Sequence, residues 1–125
     1  MKILLDSAIL IDHFNKHRAA TAYLNLIQPE AAVSVVTRAE VLTGISQEEM
    51  PKALAVLELF PLLEITKEIA DFTARLRREY RWKLPDAFQA AIAQTHKLQL
   101  ATRNTKDFNP EKHSFVTIPY SITPL

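Results

Sequence analysis

The chain of 125 residues contains no cysteine. Disulfide staples, thiolate metal sites and cysteine nucleophiles are therefore excluded. It contains one glycine, Gly44. A glycine-rich phosphate loop and a dinucleotide fingerprint each need several, so neither is present. An excess of one charge is missing too: 15 Lys and Arg stand against 14 Asp and Glu, a net charge of +1. That balance neither demands nor forbids a nucleic-acid partner, so function must come from where the charges sit. Long hydrophobic runs are also absent. The apolar start, Ile3 to Leu5 and Ala8 to Ile11, is cut by Asp6 and closed by Asp12. A signal peptide keeps its apolar stretch uncharged, and a spanning helix needs roughly 18 or more apolar residues. The chain reads as soluble and cytoplasmic, with no membrane partner. With 48% apolar residues, a chain of this length can bury one core, so residues 1–125 read as a single domain.

What is present alternates between two periodicities. Lys2 to Leu5 is a short apolar run that reads as a buried strand, with Asp6 at its carboxyl end. Ser7 to Phe14 has helical spacing in Ala8, Leu10, Ile11 and Phe14. A second helix is expected from Arg18 to Ile27, stopped by Pro29, and a second strand over Ala32 to Val36. Thr37 to Leu42 reads as a helix with Gly44 as its glycine C-cap. Ser46 to Phe60 reads as another, and Leu62 to Ile65 as a third strand. Thr66 to Tyr80 predicts a long amphipathic helix with Ile69, Phe72, Leu76 and Tyr80 on one face. Pro85 opens a helix to about His96, with Phe88, Ala91 and Ile92 inward. Leu98 to Thr102 and Phe115 to Ile118 read as strands four and five, and Pro119 and Pro124 mark the tail.

Strands alternating with helices predict an α/β fold with a parallel sheet covered on both faces. Such sheets bind ligands outside the carboxyl ends of their strands. That rule directs attention to Asp6, Glu40, Asp86 and the Asn104 to Asp107 stretch. Several carboxylates at one rim repel one another and raise one another's pKa values. A hard divalent cation such as Mg²⁺ or Mn²⁺ relieves this with oxygen ligands. Two such ions about 4 Å apart can activate water and stabilise a leaving oxygen at a phosphodiester. Acids at separate strand ends therefore suggest a metal-dependent nuclease.

Each acid also has an ordinary structural reading. Asp6 can cap the helix that follows it. Thr37-Arg38-Ala39-Glu40 spells a T-x-x-E capping box, so Glu40 reads equally as a cap and as a metal ligand. Asp86 is a favourable first-turn acid, and Asp107 a turn residue before Phe108. His13 and His17 have a zinc-compatible spacing but lack the accompanying glutamate, and read as surface histidines. His96 and His113 stand alone. The basic run Arg75, Arg77, Arg78, Arg81 and Lys83, interleaved with Tyr80 and Trp82, can grip a phosphate backbone and stack bases. The simpler reading, a solvated helix face with its aromatics packed inward, is preferred for Tyr80.

Four stretches carry a resemblance: Leu4 to Asp12, Ser34 to Gly44 around Thr37-Arg38-Ala39-Glu40-Val41, Leu84 to Ala93, and Ala101 to Phe108. They fall in order along the chain, from residue 4 to residue 108. The set resembles PIN-domain ribonucleases, specifically VapC-type toxins of bacterial toxin–antitoxin pairs. The resemblance implies a three-layer α/β/α sandwich with a mostly parallel five-stranded sheet of order 3-2-1-4-5. It implies an Mg²⁺- or Mn²⁺-dependent endoribonuclease hydrolysing single-stranded RNA, leaving 5′-phosphate and 3′-hydroxyl ends. By position, Asp6, Glu40 and Asp86 would be the catalytic and metal-binding acids. Ser7 would help to hold Asp6 or the scissile phosphate. Many members have an acid where this chain has Asn104, and members with asparagine there commonly carry an acid three residues on. Asp107 is therefore assigned as the fourth acid, with Asn104 and Thr102 as supporting polar groups. The loss of one charge predicts one tightly held ion, with a second recruited by substrate. Arg38, Arg78, Arg81, Lys83 and Arg103 are the candidates for RNA contact. The resemblance further implies a homodimer and a cognate antitoxin protein whose basic segment covers the acids. The helices of Ser46 to Phe60 and Thr66 to Tyr80 are candidate dimer faces.

Two other readings compete. A PIN-fold protein that binds RNA or a partner without cutting is motivated by Asn104. A phosphoryl-transfer switch also places an aspartate at a strand end. A haloacid-type phosphatase, however, needs a second aspartate where this chain has Ala8, and the paired acids of a receiver domain are absent.

Overall fold

The structure, a computed structural model, describes residues 1–122. Pro124 lies outside the described residues. Five short strands form one sheet of order β3-β2-β1-β4-β5, in which every paired neighbour is parallel. They are β1 (Ile3–Leu5), β2 (Ala31–Ser34), β3 (Leu62–Leu63), β4 (Gln99–Ala101) and β5 (Val116–Thr117). The register sets Leu4 opposite Ala32 on one side and Leu100 on the other. The helices are α1 (Ser7–Phe14), α2 (Arg18–Ile27), α3 (Val35–Gly44), α4 (Met50–Leu57), α5 (Lys67–Tyr80) and α6 (Leu84–Thr95), with one 3₁₀ turn at Gln28–Glu30. None of them is long and apolar enough to cross a membrane.

The strand period of two divides the core into two layers. Leu4, Ala32 and Leu100 face one side, where they join Ile69, Leu76, Ile92 and Phe108. Leu5, Ala31, Val33 and Ala101 face the other, with Ile9, Leu10, Leu24 and Val41. A sheet buried on both faces explains why these strands read as unbroken apolar runs. Helix α6 presents Ala87, Ala90, Ala91 and Ala93, all fully buried, so its backbone lies close to its neighbours.

Local chemistry sets the helix starts. The Asp6 side chain caps α1 by accepting from the Ser7 amide. Ser34 caps α3, accepting from the Thr37 amide at 3.1 Å. Thr66 caps α5 through the Ile69 amide. Helix α5 ends at Arg81 in the left-handed region, at φ 60°, with the Arg81 amide on the Arg77 carbonyl. Because the strands are parallel, the residues just past their carboxyl ends share one rim. Asp6 and Ser34 therefore stand near Thr102.

Several boundaries differ from the sequence reading. Strand β2 ends at Ser34, and Val35 and Val36 enter α3, because the Ser34 cap overrides their β-branched preference. The T-x-x-E box at Thr37 does not form. Thr37 already lies within the helix, and its hydroxyl donates to the Leu5 carbonyl. Gly44 closes α3 without a positive φ, so it is no left-handed cap. The expected Ser46–Phe60 helix contracts to α4. In α1, Ile9 and Leu10 are fully buried, whereas Ile11 is exposed.

Candidate functional site

Asp6 is only 6% exposed, and its carboxylate is held on both oxygens. Oδ1 accepts from the Ser7 amide at 2.9 Å and from Gln89 Nε2 at 3.3 Å. Oδ2 accepts from Thr102 Oγ1 at 2.7 Å. Gln89 in turn is fixed by two hydroxyls. Its Nε2 donates to Thr37 Oγ1 at 2.6 Å, and its Oε1 accepts from Ser34 Oγ at 2.6 Å. Three strand ends and three helices thus meet in one buried polar network around Asp6. Such a network gives rigidity only when its members are satisfied, and these are.

The other acids gather round this anchor. Asp86, in the first turn of α6, has its carboxyl pushed up to about 6. Burial is the main cause, followed by repulsion from Asp6, Asp107 and Glu40, with Lys83 opposing. Glu40 is raised as well, by burial first and by Asp6, while a hydrogen bond from Ser7 acts against it. With the capping box unformed, the Glu40 side chain is not tied to its own helix start. Asp107 is positioned by Asn104: Asn104 Nδ2 donates to Asp107 Oδ2 at 3.0 Å, and the Asp107 amide donates to Asn104 Oδ1 at 3.2 Å. The Asn104 amide rests on Thr102 Oγ1, so Thr102 links the Asp6 network to the Asn104–Asp107 turn.

Asp6, Glu40, Asp86 and Asp107, spread over 102 positions of sequence, therefore act on one another electrostatically at one rim. Among the described residues, no three of them already stand in a metal-holding geometry. The donor set is nevertheless of the kind that suits a hard cation: carboxylate oxygens, no thiol, and a carboxyl whose ionisation the others oppose.

The candidate RNA-contact residues fare differently. Arg78, Arg81 and Lys83 are exposed. Arg38 pairs with Glu58 at 3.3 Å on the surface. Arg103 is taken up by Asp12: Nη2 donates to Oδ1 at 2.8 Å, and Nε donates to Oδ2. Tyr120 also donates to Asp12 Oδ2 at 2.8 Å. His13 lies in the last turn of α1 and His17 precedes α2, so they share no helix face, and His13 Nδ1 is bonded to Thr21. Tyr80 is 43% exposed rather than packed inward, because the buried Trp82 takes the inner place beside it.

The sequence reading gives two residues of this region no role in the site. Gln89 lies one helical turn beyond Asp86, and a lone polar residue among the α6 alanines is the signal that could have found it. Asp12 is 3% exposed and signals its role only by interrupting an apolar stretch.

The family model described as the PIN domain matches residues 3–109. Ribonuclease VapC1 of Methanocaldococcus jannaschii is 32% identical over 113 residues, covering 86% of this chain and 79% of the relative. Ribonuclease VapC10 of Mycobacterium tuberculosis is 35% identical over 113 residues, covering 85% of each. Among solved structures, a toxin–antitoxin complex from Klebsiella pneumoniae superposes with a TM-score of 0.89 at 39% identity, covering 97% of this chain and all of the matched one.

Proposed function

The chain belongs to the PIN-domain family, and from that premise we propose that it is a metal-dependent endoribonuclease, the toxin of a toxin–antitoxin pair. The observation that carries the reading is Asp86, whose carboxyl is raised to about 6 by burial and by three acids distant in sequence. Unrelated acids rarely accumulate like this without a cation or a proton to share.

Asp6, Glu40, Asp86 and Asp107 would hold the ion. Bound there, Mg²⁺ or Mn²⁺ supplies Lewis acidity and charge neutralisation at a phosphodiester. Asp6 is the fixed member, since three donors set its oxygens. Asp107 supplies the fourth carboxylate, and Asn104 positions it. Glu40 and Asp86 are partly buried acids that a cation would help to ionise, and either can take a proton from attacking water. Ser7 donates its amide to Asp6, and its side chain favours the ionised form of Glu40. Arg78, Arg81 and Lys83 are exposed and can meet RNA phosphates, whereas Arg103 and Arg38 are held by Asp12 and Glu58.

An antitoxin partner is supported by an apolar groove beside Glu40. It is lined by Val36, Ala39, Ile65, Leu84 and Phe88, with a volume of about 390 Å³. A homodimer is supported by exposed Leu59 and Leu62 following α4. This function places the protein in the cytoplasm, where its RNA substrate is.

The test is cleavage of mixed-sequence single-stranded RNA with Mn²⁺ or Mg²⁺, against EDTA, with Asp6→Asn and Asp86→Asn made separately. Cutting that needs metal and vanishes in both variants is expected. Glu40→Gln and Asp107→Asn then report on the remaining acids. A folded, antitoxin-free protein that binds RNA without cutting would replace this reading with the non-cutting one.

A further inference from the structure

A second cavity, of about 460 Å³, opens beside the acid rim and shares Asp107 with it. Its walls include Tyr80, Trp82, Lys106, Lys112 and His113. The volume is in the range of small-ligand sites. Two features distinguish it from ordinary surface.

The first is a stack of rings. Tyr80 and Trp82 lie face to face, with centroids 4.4 Å apart and planes 14° from parallel. The inner ring, Trp82, is 5% exposed, and the outer one, Tyr80, is 43% exposed. His113 meets both edge-on at 5.1 Å, which holds the pair upright. Trp82 is anchored further by its Nε1, which donates to the Asp107 carbonyl at 3.1 Å. The left-handed Arg81 between the two rings gives the chain the sharp bend at this point. A rigid aromatic stack whose outer ring is wet is a platform for another flat ring.

The second feature is charge. Lys106 and Lys112 line the same cavity, and neither makes an ion pair among the described residues. Exposed cations flanking an aromatic platform suit a single strand, which offers bases to stack and phosphates to neutralise.

We propose that this cavity is a nucleotide subsite that stacks one base of the RNA on Tyr80 and takes an adjoining phosphate on Lys106 and Lys112, next to the bond cut at the acid rim. The proposal rests on the ribonuclease reading and adds a second anchoring point to it. Because Trp82 holds the Asp107 backbone, a base seated on the stack is tied directly to one of the four acids.

Trp82 is the chain's one tryptophan, so its fluorescence reports on this cavity alone. The probes are a mixed-sequence RNA hexamer and a matched hexamer of abasic riboses, both in EDTA so that nothing is cut. The RNA hexamer is expected to quench Trp82 emission, and the abasic strand to leave it unchanged. Tyr80→Ala should weaken binding about 5- to 100-fold, as loss of base–aromatic stacking does. Tyr80→Phe, which keeps the ring, should restore it. Lys106→Ala and Lys112→Ala should each lower the salt dependence by about one phosphate contact. In metal-dependent cleavage, Tyr80→Ala should raise KM while kcat is kept.

Cutting by the intact protein, together with an unchanged affinity and KM in Tyr80→Ala, would overturn the subsite and leave the ribonuclease reading standing. Quenching that depends on Tyr80 in a protein that never cuts would keep the subsite and remove the ribonuclease. Equal quenching by the abasic strand would overturn the base platform. Absence of both quenching and cutting would overturn both.

Discussion

Thr102 Oγ1 donates a 2.7 Å hydrogen bond to Asp6 Oδ2, although 96 positions separate the two residues. The bond exists because β1 and β4 are adjacent and parallel, with Leu5 opposite Ala101, so the residues just past each strand face each other. Thr102 is fully buried, and its hydroxyl also accepts from the Asn104 amide. Thr102→Val keeps the shape and removes both bonds. It should destabilise the fold by about 1–3 kcal/mol, the cost of buried groups left unpaired. It should also lower kcat/KM by roughly 10- to 100-fold, as loss of a ligand's outer support does. Thermal unfolding and cleavage kinetics check the two effects. An unchanged kcat/KM would mean that Asp6 needs no such support.

Gln89 serves Ser34, Thr37 and Asp6 at once. Gln89→Leu fills the same space and takes one hydrogen bond from each of three buried polar groups, and the Ser34 hydroxyl loses its acceptor. Urea titration should show a loss of about 2–4 kcal/mol, more than for Thr102→Val. A loss below 1 kcal/mol would show that the network carries little of the fold's stability.

Asp86 makes stability depend on pH. Its carboxyl titrates near 3.8 when unperturbed and at about 6 in the fold. Between those values the folded protein holds a proton that the unfolded chain has released. The stabilisation is full below pH ~4 and is lost as pH rises through about 6. The metal-free protein should therefore show a Tm that falls across this window relative to Asp86→Asn, with the variant the more stable at pH 7.5. Mn²⁺ should restore the wild-type Tm at pH 7.5 and act less on the variant. Parallel Tm profiles for the two proteins would count against this assignment.

Asp12 anchors Arg103 and Tyr120, and so ties the segment after β4 to the C-terminal tail and α1. The Tyr120 hydroxyl is raised, by burial first and then by Asp12, so it remains a donor throughout the neutral range. Asp12→Ala should cost about 3 kcal/mol, because it strands the partners of a buried carboxylate. Tyr120→Phe should cost about 1–2 kcal/mol. The double variant should cost less than the sum, since both remove one interaction. Additive losses in denaturant titrations would show that the two act separately.

The four candidate acids were legible in the sequence because each follows a strand or opens a helix, and parallel sheets bring those positions to one edge. What each acid does there was not legible. Thr37-Arg38-Ala39-Glu40 has the wording of a capping box, yet the helix begins at Ser34 and leaves the Glu40 side chain to the site. That choice turns on where β2 stops pairing, which no local pattern records. Tyr80 and Trp82 are equally apolar as sequence, and only the left-handed turn at Arg81 buries one and exposes the other.

By itself, the sequence determined the order of elements, the two-sided sheet and the family, because short-range periodicity and caps are written in adjacent residues. Only the tertiary structure decided which polar groups meet. Gln89 with Ser34, Asp12 with Tyr120 and Thr102 with Asp6 are pairs between 55 and 108 positions apart. Their hydrogen bonds form because the packed sheet removes water from a shared rim, where an unpaired polar group is costly and a paired one is held in place.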